Sequence, residues 1–205
     1  MKKILLALGF IGTLGLAALT VPAVAQMNMG DMKMGNMGDS GAKALAKLSG
    51  KNYDIAWLSQ MIEHHRGAVE MSKLCVKNCL DKDVKAAAQK IINAQDKEIL
   101  QMTTWLTNWY KATPDPKQMA MMKADMKPMM DTSMGGMQPM AGMAMPIDRS
   151  FLEGMIPHHQ HAVAMGKDAI KRALRPELRK FGQAVVADQS KEIKQYEGWL
   201  KTKNI

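Results

Sequence analysis

Residues 54–71 of the chain, DIAWLSQMIEHHRGAVEM, recur at residues 148–165 as DRSFLEGMIPHHQHAVAM. The match continues without a gap to residue 106 in the first copy and to residue 200 in the second. Of the 53 aligned positions, 20 are identical, including both His-His pairs. Self-similarity at a fixed spacing indicates an internal duplication. The chain is therefore expected to contain two copies of one structural unit.

Each copy is predicted to form two antiparallel helices. In the first copy, apolar residues follow helical spacing from Ile55 to Val76 and again from Val84 to Trp109. A break at residues 78–82 separates these runs, and Arg175-Pro176-Glu177 marks the equivalent break in the second copy. Asp54 is expected to cap the start of its own helix.

The two predicted hairpins occupy residues 43–111 and 147–205. Each has one apolar stripe, and the two stripes are best buried against each other. This arrangement predicts an all-α fold, a four-helix bundle built from two duplicated αα-hairpins. A bundle of this size can form a core that is stable without further domains.

The N-terminal 25 residues have the composition of a secretory signal peptide. Lys2 and Lys3 precede an apolar run from Ile4 to Val21, and Ala23-Val24-Ala25 matches the usual cleavage pattern. Cleavage near Ala25 would remove two Lys, lower the formal net charge from +9 to +7, and place the protein in the periplasm or outside the cell. An uncleaved N-terminal helix is the alternative. Export argues against a nucleic acid partner, and no later segment is apolar enough to be membrane-embedded.

Methionine is unusually frequent, with 22 Met among 205 residues. Residues 26–42 carry five of them among Gly, Asp and Asn, and residues 112–146 carry eleven together with five Pro and three Gly. These compositions predict a disordered Met-rich arm and a flexible Met-rich linker, with a helical turn at 117–127 left open. A low-complexity linker with incidental Met is the plainer interpretation.

The thioether of Met is a neutral, soft donor that favours Cu(I) and Ag(I) over Mg²⁺ or Ca²⁺. M-x-M and M-x-x-M spacings recur in the Met-rich segments, so two or three sulfurs could converge on one ion. The segments therefore predict copper as the bound metal, with Cu(I) favoured and Ag(I) as its mimic.

All five His lie in the two repeated motifs. On a helical wheel, His65 and His159 fall in the middle of the apolar arc, and the other three lie on a flank that also carries Met71 and Met165. The predicted metal ligands are Met61, His64, His65, Met71, Met155, His158, His159, His161 and Met165. The alternative role of these side chains is structural, as satisfied polar groups and filler of the core.

The second helix of each copy carries polar residues among apolar ones, namely Gln95, Glu98, Gln189 and Glu192. In an antiparallel hairpin that turns near residue 80, His65 lies level with Glu98. A buried carboxylate needs a partner, so we expect a His65–Glu98 pair and a His159–Glu192 pair. Such a pair could orient a metal-binding imidazole from behind.

Cys75 and Cys79 lie four residues apart at the end of the first helix, and the second copy has no counterpart. Their Cα atoms would be near the range that a disulfide allows. Two interpretations stay open, a local disulfide and a thiolate pair bound to Cu(I) or Zn(II), of which the disulfide is slightly favoured.

The motif D-x-x-(W/F)-L-x-x-M-I-x-H-H-x-x-A-V-x-M, followed by Q-x-x-E-I and W-L, resembles the domain of unknown function 305 family. The resemblance covers residues 54–106 and 148–200. It implies a ferritin-like bundle and a relation to CopM-like periplasmic copper-binding proteins. The copper-binding residues that it implies are Met61, His64, His65, Met71, Met155, His158, His159 and Met165. Pro157 departs from an ideal helix because it removes one backbone hydrogen bond.

The resulting expectation is a non-enzymatic periplasmic protein that sequesters copper or passes it on, as Cu(I) with Ag(I) and Cu(II) as alternatives, and so assists copper tolerance. Its partners would be metal ions and a copper exporter or another periplasmic copper protein. A ferritin-like di-metal oxidase or iron-binding protein is the alternative, but such a centre needs about four carboxylates and two His. Only Glu98 and Glu192 are well placed for it. A basic structural or membrane-adhering protein is a weaker third hypothesis, since the Lys residues are dispersed.

Overall fold

The computed structural model describes residues 38–136 and 147–205, which form six α-helices and no strand. The helices are α1 (Ser40–Ala46), α2 (Gly50–Asn78), α3 (Lys82–Tyr110), α4 (Pro116–Gly136), α5 (Ile147–Arg172) and α6 (Pro176–Thr202). The all-α prediction is confirmed for these ranges. The expected signal peptide, residues 26–37 of the arm and residues 137–146 of the linker lie outside the described residues. None of these six helices combines the length and the apolar character that crossing a membrane requires.

Helices α2 and α5 form the centre of the fold. Helix α3 packs against α2, α6 packs against α5, and α2 and α5 pack against each other. Helix α4 lies against both central helices, and the short helix α1 contacts α2 and α4. Because α2 is covered by α1, α3, α4 and α5, 17 of its 29 residues are buried.

The core is divided into two clusters of buried apolar residues. In α2 the first cluster ends at Ile62 and the second begins at Ala68. In α5 the second cluster ends at Met155 and the first begins at Ala162, because α5 runs antiparallel to α2. Both His-His pairs occupy the gap between the two clusters. The histidines therefore form a polar layer across the middle of an otherwise apolar core.

Helix α4 corrects the prediction of a flexible linker at residues 112–146, of which only the helical turn left open at 117–127 agrees with the structure. It runs for 21 residues and continues through Pro128, whose ring is exposed to solvent. A proline inside a helix costs about 3 kcal/mol. Burial of a Met side chain contributes about 1.5–3 kcal/mol, and Met122 and Met126 are each only 1% exposed. The apolar stripe that these Met residues form against α2 and α5 therefore outweighs the helix-breaking composition.

Helix α1 corrects the prediction of a disordered arm over its last residues, 38–42. Asp125 of α4 accepts hydrogen bonds from the backbone N–H of Ser40 (3.3 Å), the hydroxyl of Ser40 (2.6 Å) and the N–H of Gly41 (2.7 Å). The guanidinium of Arg172 donates to one backbone carbonyl in the last turn of α1 and to another two residues after the helix ends, each at 2.8 Å. Helix α1 is thus held at both ends by charged side chains that the local sequence does not contain.

Asp54 and Asp148 each hold the turn of the opposite hairpin, and we call them the interhairpin aspartates. Asp54 accepts hydrogen bonds from the N–H groups of Leu174 (2.8 Å) and Arg175 (3.1 Å) and from the hydroxyl of Tyr110 (2.6 Å). Asp148 makes the equivalent bonds to two N–H groups in the turn between α2 and α3. The prediction that Asp54 caps its own helix is wrong, because α2 begins one turn earlier.

The cysteines form a disulfide between Cys75 and Cys79 at the C-terminal end of α2. Both side chains are buried in the second apolar cluster. Their spacing left two interpretations open, and the structure shows the disulfide.

Helices α5 and α6 approach closely at a pair of glycines, Gly166 and Gly182. A Cβ added to Gly166 would lie 2.8 Å from the carbonyl oxygen of Gly182, whereas one added to Gly198 of α6 would meet nothing within 4 Å. We expect Gly166→Ala to lower the free energy of unfolding by about 1–3 kcal/mol, because backbone must move. Gly198→Ala is the control and should raise it by about 0.5–1 kcal/mol through helix propensity alone. Denaturant titration checks both, and equal effects of the two variants would contradict the close approach.

Candidate metal centre

The five histidines form one buried group between α2 and α5, which we call the histidine layer. The ring centroid of His64 lies 3.8 Å from that of His158 and 5.2 Å from that of His161. His65 follows at 6.2 Å from His64, and His159 at 6.1 Å from His158. Four of these residues are completely buried, and His161 alone is partly exposed.

Every histidine in the layer has a buried Nδ1 atom without a hydrogen-bond partner among the described residues. His64 shows why this matters, because its Nε2 lies 3.1 Å from the backbone carbonyl oxygen of His158. An Nε2–H that donates to this carbonyl leaves the lone pair on Nδ1. A metal-binding imidazole commonly has this arrangement, with one nitrogen anchored by a carbonyl or carboxylate and the other free to bind.

The expected His–carboxylate pairs are both in contact. The Nε2 of His65 lies 2.6 Å from Oε2 of Glu98 and is hydrogen bonded to it. The Nε2 of His159 lies 2.8 Å from Oε2 of Glu192, but its N–H direction is not aimed at the carboxylate, so this pair makes a close contact without a hydrogen bond. The first copy therefore orients its central imidazole more firmly than the second.

Burial keeps the centre of the layer uncharged. It lowers the pKa of His64 and of His158 well below the usual histidine value of 6.5, and repulsion by neighbouring imidazoles lowers both pKa values further. Burial also lowers the pKa of His161, against a smaller opposing effect of the nearby Asp125 carboxylate. Neutral imidazole is the form that binds metals, so these three side chains need not lose a proton at neutral pH.

The four predicted methionine ligands lie at two ends of the histidine layer. Met61 and Met165 belong to the first apolar cluster, and Met71 and Met155 belong to the second. All four are buried. The structure therefore does not gather them around one point, and each contributes to core packing whatever else it does.

Met130 of α4 was not predicted as a site residue, yet its thioether reaches the layer beside Gly67. A Cβ built on Gly67 would lie 3.0 Å from Sδ of Met130 and 3.4 Å from Nε2 of His158. The glycine occupies the position that corresponds to His161 in the second copy. The missing side chain leaves a small space that a sulfur and an imidazole nitrogen both face. The stripe formed by Met122, Met126 and Met130 could have revealed this helix, because its spacing of four residues is helical.

Gln95 and Gln189 are buried at equivalent positions of α3 and α6, each 4% exposed. Their Oε1 atoms have no hydrogen-bond partner among the described residues. No hydrogen bond joins either amide to a histidine within those residues, so the suggested supporting role of the two glutamines stays a prediction.

The donor set fits a soft metal better than a hard one. Within residues 38–136 and 147–205, no three His, Cys, Asp or Glu side chains converge so that they could hold a metal ion by themselves. The donors that face a common space are instead an imidazole nitrogen of His158 and the thioether sulfur of Met130. Thioether and imidazole ligands suit Cu(I) and similar soft ions, whereas Mg²⁺, Ca²⁺ and Mn²⁺ prefer oxygen.

Comparison with solved structures finds similarity to CopM and to other proteins of the DUF305 family. CopM in a Cu(II)-bound form is 30% identical with a TM-score of 0.59, over 72% of this chain and 95% of CopM. CopM in a Ag-bound form is 28% identical with a TM-score of 0.59, over 74% of this chain and 98% of CopM. A DUF305 fragment from Deinococcus radiodurans is 25% identical with a TM-score of 0.58, over 72% of this chain and 95% of the fragment.

The family comparison agrees with the repeated motif. A search of curated proteins gave no match. The family model described as "Domain of unknown function (DUF305)" matches residues 17–99 and 54–200, so the two matched ranges together span most of the chain. The chain therefore belongs to the DUF305 family.

Proposed function

We propose that this protein binds copper as Cu(I) in its histidine layer, with Ag(I) as a mimic, and that it sequesters the ion or passes it on without catalysing a reaction. The observation that carries the proposal is the juxtaposition of Nε2 of His158 and Sδ of Met130 around the space left by Gly67. Structural similarity to CopM, which has been solved with Cu(I), Cu(II) and Ag bound, supports the choice of metal.

Burial of the layer supports binding of an ion rather than turnover of a substrate. His64 and His158 are completely enclosed and uncharged, so an ion held there would be shielded from solvent and from redox partners. Glu98 and Glu192 each contact a different histidine. A di-metal oxidase needs about four carboxylates around two ions, which makes that alternative less suitable.

The proposed setting is the periplasm, where the Met-rich arm would capture ions and the histidine layer would retain them. The basis is the apparent signal peptide at residues 1–25 together with the likeness to CopM. A copper exporter or another periplasmic copper protein would receive the metal. We further interpret the α2–α3 and α5–α6 hairpins as duplicated halves of a ferritin-like four-helix bundle, to which α1 and α4 are added.

Titration of the mature chain with Cu(I), Ag(I), Zn(II) and Fe(II), each against a competing chelator, tests the proposal. We expect the highest affinity for Cu(I) and Ag(I). Met130→Leu should weaken Ag(I) binding by about tenfold to a hundredfold, because it removes a thioether at nearly constant volume. Met119→Leu is the matched control, since that residue lies 11 positions earlier on α4, about 16 Å along the helix axis.

Two results would contradict the proposed function. One is preferential binding of Fe(II) with oxygen consumption, which would favour the oxidase. The other is equal Ag(I) affinity for the wild-type protein and for both Met variants together with no preference for Cu(I) over Zn(II).

A further inference from the structure

A cavity of about 360 Å³ lies between α1, α2 and α5. Ala42 and Ala164 line it and are exposed, so its rim reaches the protein surface. Gln60 and Met165 line it as well and are buried, so its floor lies inside the core. His161 also lines the cavity. The opening therefore leads from solvent to a thioether residue and an imidazole.

His161 belongs both to this cavity and to the histidine layer. Its ring is nearly parallel to that of His64, with centroids 5.2 Å apart and an interplanar angle of 29°. Its Nδ1 is buried without a partner among the described residues, although the residue as a whole is partly exposed. His64 in turn lies 3.8 Å from His158. Imidazoles thus follow one another from the cavity to the centre of the layer.

The walls of the cavity are fixed rather than loosely closed. Asp125 and Arg172 hold the two ends of α1. The amide of Gln60 donates to the backbone carbonyl of Gly41 (3.1 Å) and to Oε1 of Gln118 (2.8 Å), which ties α1, α2 and α4 together. An opening braced in this way persists without a conformational change.

We propose that this cavity is the entry site through which a soft monovalent metal ion reaches the histidine layer, with Met165 and His161 as its first donors. The proposal rests on the proposed function, since it concerns the path to that site. Transfer is a ligand exchange: a bond from the ion to the next donor forms as the bond to the previous one breaks, and no electron or proton is transferred. His64 is the next donor inward, and its Nδ1, which has no hydrogen-bond partner within residues 38–136 and 147–205, is available for the exchange.

Stopped-flow mixing of the mature chain with Ag(I) tests this path through tryptophan fluorescence. The indole N–H of Trp57 donates to the backbone carbonyl of Met165 (3.0 Å), so this buried indole reports on the neighbourhood of the cavity. Ala164→Phe fills the rim without adding an indole, and Ala42→Phe does so from the α1 side. Ala94→Phe, on the exposed face of α3, is the matched control.

We expect both rim variants to slow Ag(I) association by about tenfold or more. A tenfold change corresponds to an increase of about 1.36 kcal/mol in the activation free energy of association. Dissociation should slow equally, so the equilibrium affinity stays unchanged, and Ala94→Phe should leave both rates unaltered. Unchanged association rates in both rim variants would overturn the entry site while leaving the proposed function intact. Failure of the wild-type chain to bind Ag(I) would instead overturn the function and the path with it.

Discussion

Replacing His158 with Leu is expected to stabilise the metal-free protein and at the same time to weaken its binding of Ag(I) by about a hundredfold or more. Both ring nitrogens of His158 are buried without a hydrogen-bond partner among the described residues. A buried polar group left unpaired costs about 1–3 kcal/mol, so an apolar side chain of similar size should raise the free energy of unfolding by about 1–2 kcal/mol. The same change removes a central donor.

The opposite signs of these two effects separate a binding role from a structural one. Denaturant unfolding in the presence of a chelator measures the first effect, and competitive Ag(I) titration measures the second. Ser72→Ala is the matched control, because the Ser72 hydroxyl is equally buried and also has no hydrogen-bond partner in the part of the chain that the structure describes, but it is a poor ligand for a soft metal. It should preserve Ag(I) affinity. A His158→Leu variant that is less stable than wild type, or that binds Ag(I) normally, would argue that the layer is structural.

Removal of an interhairpin aspartate should have the largest effect on folding. Asp54 is 0% exposed, and its carboxylate accepts three hydrogen bonds from the distant turn and from Tyr110. Asp54→Ala leaves those donors unpaired, so we expect a loss of about 3–5 kcal/mol in the free energy of unfolding. Asp148→Ala removes bonds to only two N–H groups and should cost less.

Thermal and denaturant unfolding of the two variants tests this expectation. Asp96→Ala is the control, because that carboxylate is exposed on α3 and its loss should change the free energy of unfolding by less than about 0.5 kcal/mol. The pKa of the Tyr110 phenol provides a second measurement. Burial and the hydrogen bond to Asp54 raise its pKa, so Asp54→Ala should bring that pKa down in a spectrophotometric titration. Wild-type stability of Asp54→Ala would show that the turn does not need its carboxylate.

The parts of the fold that follow from local periodicity could be predicted from the sequence. The apolar spacing of α2, α3, α5 and α6 is helical, and the repeat itself marks equivalent positions. Helix α4 does not follow from local propensity, because its Pro and Gly argue against a continuous helix, whereas burial of Met122 and Met126 against two other helices decides its structure. The role of Asp54 was missed because its partners lie 120 and 121 residues away, and nothing in the neighbouring sequence indicates them.

The candidate site likewise has features that could be predicted from the sequence and features that could not. The contacts of His65 with Glu98 and of His159 with Glu192 could be foreseen, since a hairpin brings known helix positions level with each other. The sulfur beside His158 could not be foreseen once α4 had been interpreted as a linker. In the sequence, Gly67 only stands where the second copy has His161, whereas in the folded chain its lack of a side chain makes room for Met130.

The interhairpin aspartates also bear on how such a chain could arise. Each hairpin carries both parts of this hydrogen-bonded contact, a carboxylate and a turn whose N–H groups need an acceptor. The carboxylate of one hairpin bonds to the turn of the other. A single hairpin is therefore self-complementary, and two copies of it could close an isologous dimer around a twofold axis. Fusion of two such subunits into one polypeptide would preserve these hydrogen bonds. The connecting segment could then acquire a sequence of its own.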